Sequence, residues 1–221
     1  MLRSEKDWVH EYERRGALWI HDGNLKRPHA LLTSGKHSEG FFNSEVVMED
    51  PLLLDQAAGD LLQKLVREGF SHVTLNRVVG PAMGAITLAH DLARHISENR
   101  MDPCLRAYTE PSTDERGRKT MVFKKTTVHA GEEVLLVEDV LTTGGSVEMA
   151  AQAVTEKGGF PVSFVGVLVN RSSLKEVNDK RVVALINHPM PMWEPSECPL
   201  CKQGSESLRP KENWQRLNAA Y

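Results

Sequence analysis

One segment of the chain combines an apolar run, two acids and a glycine-rich turn. Residues 134–146 read VLLVEDVLTTGGS. The apolar residues 134–137 predict a buried parallel strand, and a helix is predicted over residues 145–157. Ligands of open parallel sheets bind at the carboxyl ends of strands, so the turn between these two elements is a candidate ligand site.

The residue types in this turn favour a sugar phosphate. Glycine amides approach an anion closely, and the helix N-terminus adds the positive end of its dipole. Thr142, Thr143 and Ser146 can donate hydroxyl hydrogen bonds to the same phosphate. Glu138 and Asp139 would repel a phosphate, so they suit the hydroxyls of the attached sugar, or a metal ion. The alternative is an ordinary strand–helix turn with solvated acids, and the position of the acidic pair directly after the strand argues against it. The Gly-x-x-x-x-Gly-Lys-Ser/Thr pattern of a nucleotide P-loop does not occur.

This segment resembles the signature with which type I phosphoribosyltransferases bind phosphoribosyl pyrophosphate (PRPP). Within that family the resemblance is greatest to the orotate phosphoribosyltransferase branch. Residues 33–38 (TSGKHS) and 41–43 (FFN) resemble its N-terminal substrate segment, and residues 78–84 (VVGPAMG) resemble its pyrophosphate loop. Residues 167–171 (VLVNR) resemble the strand end that carries its base-binding arginine. The Cys-Pro-Leu-Cys of residues 198–201 resembles a tail found in one part of the family.

The resemblance implies a Mg²⁺-dependent transfer of the 5-phosphoribosyl group from PRPP to orotate, giving orotidine 5′-phosphate and pyrophosphate. Mg²⁺ is expected to be carried by PRPP, with no direct protein ligand. The catalytic candidates are Glu138 and Asp139, together with Lys119 and Lys124 of a basic segment. The expected PRPP contacts share the strand end, the turn and the pyrophosphate loop: Glu138, Asp139, Val140, Leu141, Thr142, Thr143, Gly144, Gly145, Ser146, Gly80, Pro81 and Ala82. The expected orotate contacts supply cations, a hydroxyl and ring faces: Lys36, Phe41, Phe42, Thr142 and Arg171.

The chain departs from the best-known family pattern in its basic residues. Thr33 and Gly84 stand where lysines are usual. Residues 110–119 are polar and charged and are predicted to be mobile, and the basic loop that contains them, residues 110–125, is expected to close over the site. Its sequence differs from the usual one, so which cation of this loop is catalytic stays open.

The remaining pattern predicts an α/β fold in which a parallel sheet is flanked by helices. Strands are expected over residues 73–79, 105–109, 121–123, 134–137, 162–169 and 182–186, and helices over residues 4–19, 51–68, 82–97 and 145–157. A short strand is expected over residues 41–47. The whole chain, 1–221, is expected to form a single phosphoribosyltransferase domain. Its core would span about residues 70–187, and a small hood would be built from about residues 1–50 and 188–221.

Composition limits the classes of partner. The 221 residues include 27 Lys and Arg against 30 Asp and Glu, which gives no support for nucleic-acid binding. No apolar run approaches the length of a membrane helix, and the three cysteines favour a reducing compartment, so a cytoplasmic protein is expected. The resemblance implies a homodimer in which the loop of one subunit serves its neighbour.

Three questions stay open at this stage. Cys198 and Cys201 have the spacing of half a zinc site, with His188 as the nearest further ligand, but packing or a reducible pair is favoured. The substrate could be another base. The altered loop also leaves room for a regulator of the same fold that binds PRPP or nucleotides without catalysis.

Overall fold

The computed structural model describes residues 2–220, which form three successive groups of elements. The N-terminal group contains α1 (Glu5–Arg14), β1 (Leu18–Ile20), β2 (His29–Leu31), β3 (His37–Ser38), β4 (Gly40–Phe42), α2 (Glu45–Met48) and α3 (Pro51–Arg67). The middle group contains β5 (Arg77–Pro81), α4 (Ile86–Arg100), β6 (Leu105–Thr113), β7 (Lys119–Val122), β8 (Glu133–Leu141), α5 (Gly145–Glu156), β9 (Phe160–Asn170), β10 (Glu176–Val177) and β11 (Lys180–Asn187). The C-terminal group contains β12 (Met192–Trp193), α6 (Pro199–Lys202), β13 (Ser207–Leu208), a 3₁₀ turn (Pro210–Glu212) and α7 (Trp214–Leu217).

The middle group builds a seven-stranded sheet in the order β10-β11-β9-β8-β5-β6-β7. The pairs β11–β9, β9–β8, β8–β5 and β5–β6 are parallel, whereas the edge pairs β10–β11 and β6–β7 are antiparallel. The expected α/β fold with a parallel sheet is therefore confirmed, with β8 between two parallel neighbours.

Alternation along β8 explains why helices cover both faces of this sheet. Leu135 and Val137 belong to the core cluster that contains the apolar residues of α3 and α4. Val134 and Leu136 belong to a second cluster, which contains the apolar residues of α5. Successive side chains of a strand point to opposite faces, so a continuous apolar run needs a helix layer on each side.

A smaller sheet joins the two ends of the chain. Its order is β12-β3-β2-β13, so strands of the N-terminal group lie between strands of the C-terminal group. Trp19, Ala30, Leu32 and Leu217 form a separate buried cluster beside it. The indole N–H of Trp19 donates to the Leu217 carbonyl over 2.9 Å. We call this assembly, residues 18–44 and 188–217, the hood.

Several predicted boundaries are wrong for local reasons. The helix expected over residues 4–19 ends at Arg14, because Gly16 takes a positive φ of 64° and the chain then enters β1. The strand expected over residues 41–47 is limited to Gly40–Phe42, and the short helix α2 follows it. No described helix combines the length and the apolar character needed to cross a membrane.

Candidate active site

The acidic pair lies on the central strand β8. This strand was expected to stop at Val137, but it continues to Leu141, with Glu138 paired to Val167 and Leu141 paired to Asn170 of β9. The two acids therefore belong to the last part of the strand. The backbone N–H of Arg171 donates to the Leu141 carbonyl over 3.1 Å, so the ends of β8 and β9 meet at the same edge of the sheet.

Glu138 is an unusual carboxyl group because it is 8% exposed. Burial raises the pKa of Glu138 well above its ordinary value, since an ionised carboxylate loses its hydration there. The neighbouring Asp139 carboxylate raises this pKa further, by repulsion and by a side-chain hydrogen bond. Glu138 is thus suited to keeping its proton and donating a hydrogen bond to Asp139.

Asp139 lies against the backbone of Gly84. A Cβ atom placed on Gly84 would stand 2.7 Å from the carboxyl carbon and from both oxygens of Asp139. The pyrophosphate loop therefore approaches the carboxylate closely only because residue 84 has no side chain. This close approach accounts for glycine at a position where the family pattern has lysine.

The turn after β8 has the geometry of an anion site. Gly144 adopts a φ of 83°, in the left-handed region that glycine enters at little cost, and α5 begins at Gly145. Thr142 and Ser146 are half-buried and Thr143 is exposed. As expected, hydroxyls and a helix N-terminus are brought to one turn at the carboxyl edge of the sheet.

A cavity of about 230 Å³ separates this turn from the hood. Its walls come from β8, the turn after it, the end of β9 and the hood. The lining residues are Leu32, Thr33, Ser34, Phe41, Phe42, Ser44, Glu138, Asp139, Val140, Thr142, Ser146, Arg171 and Lys211. We call this space the base cavity. Of the expected orotate contacts, Phe41, Phe42, Thr142 and Arg171 line it.

Arg171 is a buried cation on the wall of the base cavity. Its side chain is 1% exposed, and one guanidinium nitrogen, Nη2, donates to Ser38 Oγ over 2.7 Å. The Nε atom has no hydrogen-bond partner, and no described carboxylate forms an ion pair with this guanidinium. Burial lowers the pKa of Arg171 to about 10. A buried cation without a counter-ion is poised to bind an anion that enters the cavity.

A second, larger cavity of about 750 Å³ adjoins the first, and we call it the outer cavity. Both spaces share Thr33, Ser34, Thr142 and Ser146. The outer cavity is also lined by Ala82 and Lys119, and by residues of β6 and β7. The prediction of a loop over residues 110–119 is therefore wrong in secondary structure, because these residues belong to the antiparallel hairpin β6–β7.

The two candidate lysines differ in their surroundings. Lys119 is exposed and lines the outer cavity. Lys124 lies outside the lining of both cavities, and its Nζ atom is 3.8 Å from the Glu110 carboxylate. Of the two lysines, Lys119 is therefore the better placed to contact a ligand in the outer cavity.

The pyrophosphate loop is tightly folded. A Cβ atom on Gly80 would lie 2.3 Å from the Ala85 carbonyl oxygen, so this position also requires glycine. Gly80 and Pro81 are buried, and Ala82 reaches the outer cavity. The Ala82 amide donates to the Thr109 carbonyl over 2.7 Å, so this particular N–H is already engaged.

Lys36 is the expected orotate contact that the structure places elsewhere. It lines neither cavity, and its Nζ atom lies 3.0 Å from the Glu194 carboxylate in the tail. Ser44 and Lys211 line the base cavity without having been singled out from the sequence. Lys211 follows a proline in the irregular tail, where no periodicity signals a functional residue.

Phe41 and Phe42 divide between the hood and the core, as their alternation on a strand requires. The Phe42 ring packs edge-on against Tyr12 at 5.4 Å and against His188 at 5.5 Å. The Phe41 ring lies 5.9 Å from Trp214. His188, which the sequence offered as the nearest further ligand for the two tail cysteines, packs beside Phe42.

A family model, related sequences and solved structures all relate this chain to phosphoribosyltransferases. The model of the phosphoribosyl transferase domain matches residues 50–196. An orotate phosphoribosyltransferase of Desulforamulus reducens is 33% identical, and the match covers 87% of this chain and 93% of that protein. One from Caldicellulosiruptor bescii is 35% identical, covering 84% and 90%. The crystal structure of orotate phosphoribosyltransferase from Aeropyrum pernix has the same fold, with a TM-score of 0.57 at 20% identity, and the superposition covers 80% of this chain and 92% of that one.

Proposed function

The chain belongs to the phosphoribosyltransferase family, in its orotate phosphoribosyltransferase branch, and we propose that its two adjoining cavities are the sites for orotate and for PRPP. The reaction transfers the 5-phosphoribosyl group of PRPP to orotate and yields orotidine 5′-phosphate and pyrophosphate. This is a step of pyrimidine (UMP) synthesis. A bond forms between ribose C1 and a ring nitrogen of orotate, and the C1–pyrophosphate bond breaks.

We assign the 5-phosphate of PRPP to the turn after β8. Residues 142–146 offer hydroxyls and backbone amides at the N-terminus of α5, and this arrangement supports a phosphate monoester. The ribose then lies beside the acidic pair. Asp139 accepts hydrogen bonds from the ribose hydroxyls, and protonated Glu138 orients Asp139 by donating to it. Val140 and Leu141 supply backbone at the same edge.

The observation that carries the base assignment is the buried Arg171 guanidinium without a counter-ion. Orotate has a ring carboxylate that uracil and adenine lack, and a carboxylate pairs well with the fork of an arginine. Phe41 and Phe42 offer apolar faces for the ring, and Thr142 offers a hydroxyl between base and ribose. This arrangement favours a carboxylate-bearing base over other substrates.

The leaving pyrophosphate is assigned to the outer cavity. Its lining includes Ala82 from the loop after β5 and Lys119 from the hairpin, whereas Gly80 and Pro81, the neighbouring expected contacts, are buried and do not line it. Lys119 neutralises negative charge that develops on the leaving group, and closure of the hairpin over the cavity excludes water. Lys124 is kept as a second candidate.

The donor set fits Mg²⁺ carried by the substrate. Among the described residues, Glu138 and Asp139 are the carboxylates that line these cavities, and the raised pKa of Glu138 makes it a poor metal ligand. Mg²⁺ accepts substrate phosphate oxygens and waters with one or two carboxylates, so Asp139 would hold it through water. When bound, the ion supplies positive charge against the pyrophosphate.

We further propose a single domain, core and hood together, that works as a cytoplasmic homodimer. All three cysteines are free, which supports a reducing compartment. The turn of the hairpin, from Glu115 to Lys119, is exposed and rich in charge, which supports its reaching a neighbouring subunit. The measurement is the molecular mass in solution with and without PRPP.

The activity is tested by mixing the protein with PRPP, Mg²⁺ and orotate and following the absorbance of orotate. We expect its consumption to require all three components. Parallel reactions with uracil and adenine measure the base preference. Equal turnover of uracil would refute the role of Arg171, and PRPP binding without turnover of any base would indicate a regulator.

A further inference from the structure

We propose that His29, His37, Cys198 and Cys201 bind one structural Zn²⁺ ion that fastens the C-terminal tail to the β2–β3 hairpin of the hood. Each of these side chains offers one ligand atom, and the four ligand atoms all lie within 4.8 Å of one another. His29, His37 and Cys198 are buried and Cys201 is half-buried. This cluster is separate from the cavities assigned to the substrates, and the proposal does not depend on that assignment.

Four of the six distances between the ligand atoms are close to those of a tetrahedral site. Zn–S bonds of about 2.3 Å and Zn–N bonds of about 2.0–2.1 Å place N and S ligands about 3.6 Å apart, and two N ligands about 3.3 Å apart. In the structure, His29 Nε2 is 3.5 Å from Cys198 Sγ and 3.4 Å from Cys201 Sγ. His37 Nδ1 is 3.2 Å from Cys201 Sγ and 3.0 Å from His29 Nε2. A small outward movement of the ligands would admit the ion.

A neighbouring serine fixes the form of His29 that a metal needs. Ser205 Oγ lies 2.7 Å from the Arg27 carbonyl oxygen, and a carbonyl only accepts, so the hydroxyl proton points there. Ser205 Oγ therefore accepts from His29 Nδ1, which is 2.9 Å away. In a neutral imidazole the other nitrogen, Nε2, is then unprotonated, and its lone pair faces both sulfurs. Such an outer hydrogen bond to the distal ring nitrogen is usual for zinc-binding histidines.

The charge of the complete site suits its burial. Each thiol loses its proton on binding, so two thiolates and two neutral imidazoles around Zn²⁺ form a neutral centre. None of the four ligands has a role in the proposed reaction mechanism. Cys198 is the residue that precedes the first turn of the four-residue helix α6, and Cys201 lies within that helix. Zinc would hold this segment to strands that are distant in sequence, 164 residues away in the case of His37 and Cys201.

The test is the metal content of the full-length protein, purified under reducing conditions from zinc-supplemented cells. We expect one zinc per chain in the wild type, and zinc near zero in Cys201→Ala and in His37→Ala. Cys104→Ala and His90→Ala are the matched controls, since Cys104 is buried elsewhere and His90 is exposed on α4, and both should retain zinc. Ser205→Ala should keep the site but weaken zinc about 10- to 100-fold in competition with a chromogenic chelator.

A second measurement does not depend on the folding of any variant. Wild-type protein refilled with Co²⁺ should show the intense visible bands of tetrahedral cobalt and a thiolate-to-cobalt charge-transfer band. The proposal is overturned if reduced wild type takes up neither Zn²⁺ nor Co²⁺. It is equally overturned if folded Cys201→Ala keeps its zinc, or if protein isolated under reducing conditions carries a Cys198–Cys201 disulfide.

Discussion

At the scale of single residues, the role proposed for Arg171 is to distinguish orotate from other bases. Arg171→Ala leaves the orotate carboxylate without a partner, and the loss of a charged hydrogen bond costs about 1.5–3 kcal/mol. We therefore expect kcat/KM for orotate to fall about 10- to 150-fold, with little change in PRPP affinity. Steady-state kinetics with both substrates measure this effect.

The control for Arg171→Ala is Lys36→Ala. Lys36 pairs with Glu194 and lines neither cavity, so its removal should leave orotate kinetics near those of the wild type. Weakened PRPP binding in Arg171→Ala, or an unchanged preference for orotate over uracil, would contradict the assignment.

Glu138 gives a prediction for stability against pH. The folded state holds the Glu138 proton above the ordinary pKa of 4.5, so below that pH both folded and unfolded chains are protonated and there is no penalty. As pH rises, the unfolded chain releases this proton first, and the wild type loses stability until the folded pKa is passed. Glu138→Gln avoids this loss. Its Tm relative to the wild type should therefore increase from pH 4.5 towards pH 7.5, as measured by thermal unfolding.

The matched variant for Glu138→Gln is Glu115→Gln, which makes the same side-chain exchange in an exposed turn. Its Tm difference from the wild type should stay flat with pH. If both variants follow parallel curves, the burial of Glu138 has no effect on its titration in the folded protein.

Residues in one continuous motif were predictable, and residues brought together by folding were not. The acidic pair and the turn at residues 142–146 are read directly from the sequence, because a strand end, a turn and a helix start follow one another. The partner of Lys36 lies in the distant tail, and His29 and His37 lie far from the cysteine pair. No spacing along the chain reveals such neighbours.

At the scale of elements, the loop after β5 and the strand β8 depend on each other. A methyl group at residue 84 would overlap the Asp139 carboxyl group at 2.7 Å, a contact that real Cβ atoms do not make. Gly84→Ala should therefore displace this carboxylate and lower kcat at least tenfold, as Asp139→Asn should, with a similar Tm. The cost corresponds to about 1.4 kcal/mol or more of transition-state stabilisation.

The control for Gly84→Ala is Met83→Ala in the same loop, because the Met83 side chain is 84% exposed. It should keep activity near that of the wild type. The double variant Gly84→Ala/Asp139→Asn should be scarcely slower than either single variant, since both changes remove the same group. Fully additive losses would show that the two residues act separately.

The hairpin β6–β7 shows where element prediction fails. Residues 110–119 lack apolar alternation, and the sequence was therefore interpreted as a loop. β7 is an edge strand whose pairing uses backbone hydrogen bonds, so polar and charged side chains are tolerated on it. The buried strands β5, β8, β9 and β11 carry a clear apolar signal and were predicted within a few residues.

At the scale of the whole molecule, the hood has its own small core. Leu217 is fully buried beside Trp19, Ala30 and Leu32. Leu217→Ala should cost about 2–5 kcal/mol of packing energy there. Because Leu32 and Phe41 line the base cavity, the KM for orotate should rise several-fold, while the KM for PRPP stays nearly constant. Steady-state kinetics with each substrate varied in turn make the comparison.

A conservative exchange at the same site separates packing from chemistry. Leu217→Met nearly preserves the volume, so it should restore most of the orotate affinity. Equal increases of both KM values in Leu217→Ala would show that the hood and the sheet respond as one unit.

The arrangement of the small sheet also sets an order of events during synthesis. Strand β2 precedes its partner β13 and the buried Leu217 by most of the described chain, so it leaves the ribosome long before them. The seven-stranded sheet is complete by Asn187, so the turn after β8 can form on a nascent chain that has no finished base cavity. Before residues 207–217 are synthesised, His29 and the apolar side chains of β2 lack the contacts that bury them in the folded protein. A chaperone that binds exposed apolar strands would therefore find its target in this interval, and the base cavity is complete only after Lys211, which lines it, has been made.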